Sequence, residues 1–304
     1  MSATPAFEAL LRAAPSLHPL FQQIERAAMS DAPVLLLGPP GSGRSTLARA
    51  IHQVGERRDE ACVEVDIAAI PSSLFESEFF GFKAGSFTGA ERTSAGRVAR
   101  AERGTLILDQ VEELPLASQP KLLRLLAERR FTPLGGDDRA ADVRFVAIGV
   151  EDLEERVSQG IFRADLFYRL EVLTFYLPAL VERKTDLPAV FDHFLADLGE
   201  RAARPHLRLA DRALRWMLEY AWPGNLLQVR NVLERAMIES PGSTALDPSP
   251  PRDLVGPPES LAAVEQRQIE TVLRYTRGHQ GRAAQILGIS RKTLWDKRRK
   301  YGIP

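Results

Sequence analysis

Two stretches of the sequence hold residues that could do phosphate chemistry. In "LLLGPPGSGRSTLARAIH", Gly38, Gly41 and Gly43 stand between an apolar run and a helical pattern, followed by Arg44, Ser45 and Thr46. The spacing is that of a phosphate loop, with arginine in the place of its lysine. Glycines there let backbone amides converge on phosphate oxygens, and the following helix aims its positive end at the same charge. Ser45 is placed to hold magnesium. Arginine keeps the charge but is planar and bulkier than an ammonium, so the exchange is expected to weaken a nucleotide's hold. In "TLILDQVEELP" an apolar strand ends in Asp109 and Gln110. If that strand serves an ATPase, a base is wanted at the second position, and an amide cannot take a proton.

The elements that must position these residues are legible along the chain. Short apolar runs ("PVLLLG", "CVEVDI", "TLILD", "VRFVAIG") alternate with helical patterns such as "STLARAIHQ" and "QPKLLRLLAE". That alternation predicts a parallel sheet with helices on both faces over residues 18–175. Ahead of it, residues 1–17 read as a polar, Ala/Pro-rich tail, and "LFQQIERAAM" puts Leu20, Ile24, Ala27 and Ala28 on one helix face. Residues 176–240 read as helices only, an all-α lid. Residues 241–259 collapse into Pro241, Pro248, Pro250, Pro251, Pro257 and Pro258, an unpacked stiff linker. Residues 260–304 contain a helical pattern ("AAVEQRQIETVLRYT"), a shorter one ("GRAAQILG") and a basic one ("SRKTLWDKRRKY").

Bulk numbers constrain less. The 304 residues hold 40 basic and 40 acidic side chains, so whole-chain charge names no partner and any nucleic-acid argument must be local. Cys62 is the single cysteine, which excludes an intrachain disulfide; it reads as a buried, inert thiol, and the five histidines show no ligand spacing. The apolar runs are too short to span a membrane and no leader pattern opens the chain, so a cytoplasmic, non-membrane protein is expected. With no room ahead of residue 18 for a sensory domain, any input is expected to arrive in trans.

The stretch "ESEFFGFKAGSFTGAERTSAGRVARAERGTLILDQVEELP" resembles the central domain of bacterial enhancer-binding proteins, the AAA+ activators of sigma-54 RNA polymerase. Their surface loop reads GAFTGA and here reads Gly85-Ser86-Phe87-Thr88-Gly89-Ala90. The resemblance runs on through "FRADLFYRL" and "YAWPGNLLQVRNVLERA" and covers roughly residues 16–240. It implies an AAA+ α/β fold, ATP and Mg2+ as cofactors, self-association from dimer to hexamer, and contact of Phe87 and Thr88 with the sigma factor. An exposed aromatic between glycines suits such an anchor. It also implies that Asp109 orients magnesium, that Gln110 replaces the glutamate that polarises water, and that Val150 replaces a γ-phosphate-sensing asparagine. Leu227 replaces the lid arginine, and Asp66 stands where a residue restrains that glutamate. Arg163 and Arg169 match the arginines inserted into a neighbouring subunit's site, where a guanidinium stabilises a transferring phosphoryl group.

The C-terminal block resembles the Fis-type helix-turn-helix of the same family. Ala283, Ala284, Ile286 and Leu287 form the apolar face of a scaffold helix, Gly288-Ile289 a turn, and Ser290 an N-cap. Arg291, Lys292 and Thr293 then face base edges, and Lys297, Arg298, Arg299 and Lys300 face phosphates. Leu294 reads as core and Trp295 as packed; Asp296 could accept from a cytosine amino group, but is expected rather to pair with Lys292 or Lys300. Ile269, Val272, Leu273 and Tyr275 are expected to form a dimer surface. Together these features describe a sigma-54-interacting regulator at upstream enhancer-type DNA that binds ATP and hydrolyses it poorly. A working ATPase activator, a non-catalytic partner of a competent homologue, and a sigma-54-independent repressor remain open alternatives.

Overall fold

The computed structural model describes residues 5–88, 90–250, 265–266, 268–270, 272–273, 276, 280–301 and 303. Gly89, Tyr275 and the prolines at 251, 257 and 258 lie outside the described residues. Two compact units are present, 1–250 and 251–304.

In the first unit the alternating apolar runs become a five-stranded sheet, with every strand parallel to its neighbours. Its strands are β1 (Val34–Leu37), β2 (Cys62–Asp66), β3 (Thr105–Asp109), β6 (Arg144–Gly149) and β7 (Leu173–Tyr176), in the order β2-β3-β6-β1-β7. The pairs β4 (Arg130–Phe131) and β5 (Arg139–Ala140) form a separate two-stranded ribbon. Strand side chains alternate faces, and here both faces are dry. Leu35, Leu106, Leu108, Phe145 and Ala147 pack on one side with α4 (Phe75–Phe80), α5 (Gly96–Arg100), α6 (Gln119–Glu128), α7 (Leu153–Ser158) and α8 (Ala164–Leu170). Val34, Leu36, Ile107, Val146 and Ile148 pack on the other side with α2 (His18–Ala28) and α3 (Arg44–Val54).

Residues 1–17 depart from the expected tail. Pro5–Ala13 form a helix, α1, and a single 3-10 turn, Pro15–Leu17, carries Ala14 and Leu17 into the core beneath α2. Alanine is the best helix former and proline is tolerated at a first helical position, so an Ala/Pro-rich composition does not exclude a helix. Ser16 then donates from its amide and hydroxyl to Asp186, at 2.8 and 2.6 Å. Cys62 also departs from expectation: it is exposed at the start of β2, with its thiol pushed up by desolvation and by Glu64.

The lid contains α9 (Leu187–Arg201), α10 (Asp211–Glu219) and α11 (Asn225–Glu239), packed around Phe191, Trp222 and Leu233. The lid does not stop at residue 240. β8 (Arg208–Leu209) pairs in parallel with β9 (Ala245–Leu246), Leu246 is fully buried in the lid core, and the Trp216 indole donates to the Pro248 carbonyl. A two-residue strand among prolines carries no periodicity, so the sequence pattern breaks before the packing does.

One charge inside this unit is structural. Arg144 is almost fully buried, and its guanidinium donates to the carbonyls of Ala28 and Ala27 at 2.6 and 2.8 Å, closing the C-terminal end of α2. Gly55 leaves room for it: a Cβ there would sit 2.8 Å from Nη1. Arg144→Met strands those carbonyls away from water and is expected to cost about 2–4 kcal/mol. Thermal denaturation should show the midpoint lowered by roughly 6–12 °C.

In the second unit, helical residues of 265–276, Gln280–Ile286 and Arg291–Tyr301 surround a small core of Ile269, Val272, Leu273, Ala283, Ala284 and Leu294.

Candidate functional sites

The first site lies at the C-terminal ends of β1, β3 and β6. The loop after β1 needs its glycines. Gly38 has φ 146° and a Cβ there would meet the Leu177 carbonyl at 2.3 Å; Gly41 has φ 75° and would meet the Gly224 carbonyl at 2.6 Å. Neither conformation nor space suits an L side chain. Gly43, at φ 109°, caps α3, and Thr46 on its first turn lines a largely apolar cleft with Leu17, Phe21, Leu177, Val190 and Phe194.

Ser45 Oγ donates to Asp109 Oδ2 at 2.9 Å. A hydroxyl and a carboxylate side by side suit a small hard cation, and magnesium takes its remaining positions from waters and phosphates. The donors present therefore fit that ion, although no cluster of three or more His, Cys, Asp or Glu exists among the described residues.

Arg44 does not point freely into the loop. It is buried, and its Nη1 donates to the Gly149 carbonyl at the end of β6, the strand beside β1. Burial pushes its guanidinium below the ordinary value, while Glu112, Asp109 and Glu151 raise it. Glu112 lies buried with Oε2 unpartnered; burial pushes its carboxyl up and Arg44 counters that. Val150, next in chain, offers no donor.

Gln110 adopts left-handed backbone, φ 58° and ψ 54°, directly after β3. Its amide nitrogen donates to Asp109 Oδ1 at 3.0 Å and its side-chain Nε2 to Asp66 Oδ1 at 2.7 Å. An amide facing a carboxylate must present its NH2, because the carboxylate only accepts. Asp66 thus meets the position that the resemblance pairs it with, an amide standing there in place of the glutamate.

The lid closes over the same loop. Leu226 N donates to the Gly41 carbonyl at 2.9 Å, Asn225 Nδ2 to Pro40 at 2.9 Å, and buried Arg183 to Ser42 at 2.8 Å. Leu227 is exposed and contributes only its Cβ near Gly41. Sequence reasoning missed Arg183 and Asn225. The one available signal was "PGN" itself, since Asn225 takes φ 52° and asparagine tolerates that region.

Arg163 and Arg169 lie on the solvent side of α8. Arg163 makes a two-pronged pair with Asp165, at 3.0 and 2.7 Å, which raises its guanidinium. Arg169 reaches the Leu126 carbonyl at 3.4 Å. Neither forms a hydrogen bond or ion pair with residues 38–46 among the described residues.

The hexapeptide loop forms a second site. Gly85 N donates to Ala90 at 2.8 Å, and Phe87, about half exposed, packs edge-to-face on Phe82 with ring centroids 5.0 Å apart. Thr88 is exposed. Ser86 tucks against Gly135, where a Cβ would come within 2.7 Å.

The second unit carries the third site. Ser290 Oγ accepts from Thr293 N at 3.0 Å, as an N-cap should, and meets the Thr293 hydroxyl at 2.8 Å. The Thr293 hydroxyl is thus engaged at the cap. Arg291 and Lys292 are exposed on the first turn, and Arg298 is half-buried. Lys297 is tied to Glu265, which also accepts from the Tyr301 hydroxyl at 2.5 Å, so this lysine is not a free phosphate ligand. Asp296 forms no ion pair with Lys292 or Lys300 among the described residues. Trp295 is exposed rather than packed, with the Arg299 guanidinium 5.7 Å from its ring centroid. Ile286 is likewise exposed. Ile269, Val272 and Leu273 are buried in the unit's own core with Ala283, Ala284 and Leu294, rather than presented as an open face.

A model of the sigma-54 interaction domain matches residues 10–176, an AAA+ ATPase lid domain matches 181–251, and a bacterial regulatory protein domain of the Fis family matches 260–301. The chain belongs to the sigma-54 activator family. It is 39% identical over 298 residues to the alginate biosynthesis transcriptional regulatory protein AlgB of Pseudomonas syringae pv. tomato, covering 95% of this chain and 66% of that protein. It is 36% identical over 312 residues to the regulatory protein AtoC of Escherichia coli, covering 97% and 68%. Among solved structures, NtrX from Brucella abortus in complex with ATP superposes with TM-score 0.68 at 31% identity, covering 94% of this chain and 68% of that one. The chain spans about two thirds of the length of these relatives. Its AAA+ sheet, helical lid and DNA-binding helix-turn-helix are those of a transcription regulator of this family. Among the described residues no helix is long and apolar enough to cross a membrane.

Proposed function

We propose that this activator-family chain binds upstream enhancer-type DNA, engages sigma-54 RNA polymerase through Phe87 and Thr88, and binds ATP with Mg2+ while turning it over slowly. One observation carries the slow turnover: Ser45 and Asp109 stand together, yet the residue after Asp109 is an amide held by Asp66. The cleft beside Thr46 has the apolar lining that a base requires. Gly38, Gly41, Gly43 and Ser45 would hold the phosphates, and Ser45 with Asp109 the magnesium, which when bound neutralises charge on the transferred group. The ATP- and ADP-bound forms of NtrX support nucleotide in such a pocket. Calorimetry with ATP and ADP, paired with phosphate release at saturating ATP, tests the reading. Binding with turnover far below about 1 s⁻¹ is expected, since typical enzymes run at about 1–10³ s⁻¹. Ordinary turnover removes the slow-site reading, and absence of binding removes the nucleotide altogether.

The exposure of Arg163 and Arg169, outside the chain's own loop, supports a second role in self-association, as a donor of arginines to a neighbouring subunit, its own kind or a competent homologue. Mixing with such a homologue should then change that homologue's ATPase rate, and the double variant Arg163→Ala/Arg169→Ala should not. An unchanged rate on mixing ends this role.

A further inference from the structure

Asp66 ends β2 in register with Asp109, and the two strand ends are tied by Ile67 N donating to the Asp109 carbonyl at 3.0 Å. Ser45 Oγ donates to Asp109 Oδ2 at 2.9 Å, the Gln110 backbone amide to Asp109 Oδ1 at 3.0 Å and the Gln110 side chain to Asp66 Oδ1 at 2.7 Å, so one residue links the two carboxylates. The link runs from the pair suited to a cation to an exposed carboxylate. Only Oδ1 of that carboxylate is engaged; Oδ2 has no hydrogen-bond partner among the described residues. Gln110 cannot accept a proton, but its amide can fix the plane of a carboxylate that it faces.

We propose that Asp66 is the carboxylate that aligns and polarises the attacking water in ATP hydrolysis, and that Gln110 is a positioning residue that holds it. The acid stands at the end of β2 and the amide directly after β3. The inference rests on the ATP-binding reading above. In the step, the water oxygen bonds to the γ-phosphorus and the bond from that phosphorus to the β,γ-bridging oxygen breaks. ADP leaves with the electron pair and the water's proton departs to solvent past Asp66. The side chain is one methylene shorter than a glutamate and reaches in from the neighbouring strand, which accounts for slow rather than absent turnover.

The experiment uses the full chain with Mg-ATP, measuring phosphate release for kcat and a fluorescent ATP analogue for Kd. Asp66→Asn is expected to lower kcat by about a hundredfold, at the low end of what a positioned acid–base group contributes, with Kd within about twofold. The exchange Asp66→Asn/Gln110→Glu puts amide and acid at each other's positions and is expected to restore turnover to at least the starting level. Unchanged kcat in Asp66→Asn overturns the assignment, as does a loss of kcat matched by an equal loss of affinity, or an exchange variant no faster than Asp66→Asn. An unaltered chain that binds ATP without turnover above the Asp66→Asn background overturns it while leaving ATP binding intact. Absence of binding overturns both.

Discussion

Replacing Arg44 by lysine is expected to tighten ATP binding by about ten- to a hundredfold. In the free protein the guanidinium is buried and donates across the pocket to the Gly149 carbonyl, with Glu112, Asp109 and Glu151 supplying the opposing charge. A phosphate can draw on Arg44 only by breaking that contact, and a hydrogen bond to a charged group is worth about 1.5–3 kcal/mol. That energy is held by the unliganded state and is subtracted from every nucleotide bound. Lysine is shorter, carries its charge at a point, and threads between phosphates without being tied to a strand end. Calorimetry on the unaltered chain and Arg44→Lys measures the difference directly. Equal affinities would show that the arginine stays on Gly149 in the bound state and that the backbone amides do the binding alone. Turnover should change less than affinity, because the Asp66–Gln110 arrangement is untouched.

How far such features can be read from the chain depends on the distance over which they act. The sheet was legible, since a continuous apolar run such as Leu106-Ile107-Leu108, contained within five residues, is what a strand buried on both faces needs. So were the phosphate loop, whose spacing is its function, and the Ser290 cap, which closes on Thr293 three residues later. The Asp66–Gln110 bond joins residues 44 apart and Arg183 reaches Ser42 across 141; the resemblance alone links the first pair of positions, and no local pattern reports the second. Arg44 could be recognised as an exchange, yet its direction depends on where β6 ends. Amphipathic patterns failed in a different way. Ile269, Val272 and Leu273 form an apolar face, but periodicity names a face and not its partner, and the unit's own helices claim it. In α1 and β9, composition misled: alanine and proline surround residues whose burial is set by the lid and the sheet beside them.

That correction bears on the steepest effect expected of this protein, the salt dependence of its DNA binding. In the second unit Arg291, Lys292, Arg298, Arg299 and Lys300 lie outside ion-pair distance of any carboxylate among the described residues, whereas Lys297 is paired with Glu265. If each of these five cations neutralises one phosphate, the logarithm of affinity falls against the logarithm of salt with a slope of about −4.5 for one module and about −9 for a pair. From 50 to 200 mM salt the loss is then roughly 500-fold for a single module and roughly 10⁵-fold for two bound together, so the slope counts modules as well as contacts. Fluorescence anisotropy on a labelled duplex across that range gives it. Arg298→Ala should flatten the slope by about one unit per module, as loss of a phosphate contact does. Lys297→Ala should leave it unchanged, because Glu265 already satisfies that charge; it should instead loosen the helix that Glu265 and Tyr301 hold in place, visible as a lower melting point of the intact chain. A Lys297→Ala slope as flat as that of Arg298→Ala would mean that DNA draws Lys297 away from Glu265, and that the folded unit gives up an internal pair to gain a phosphate.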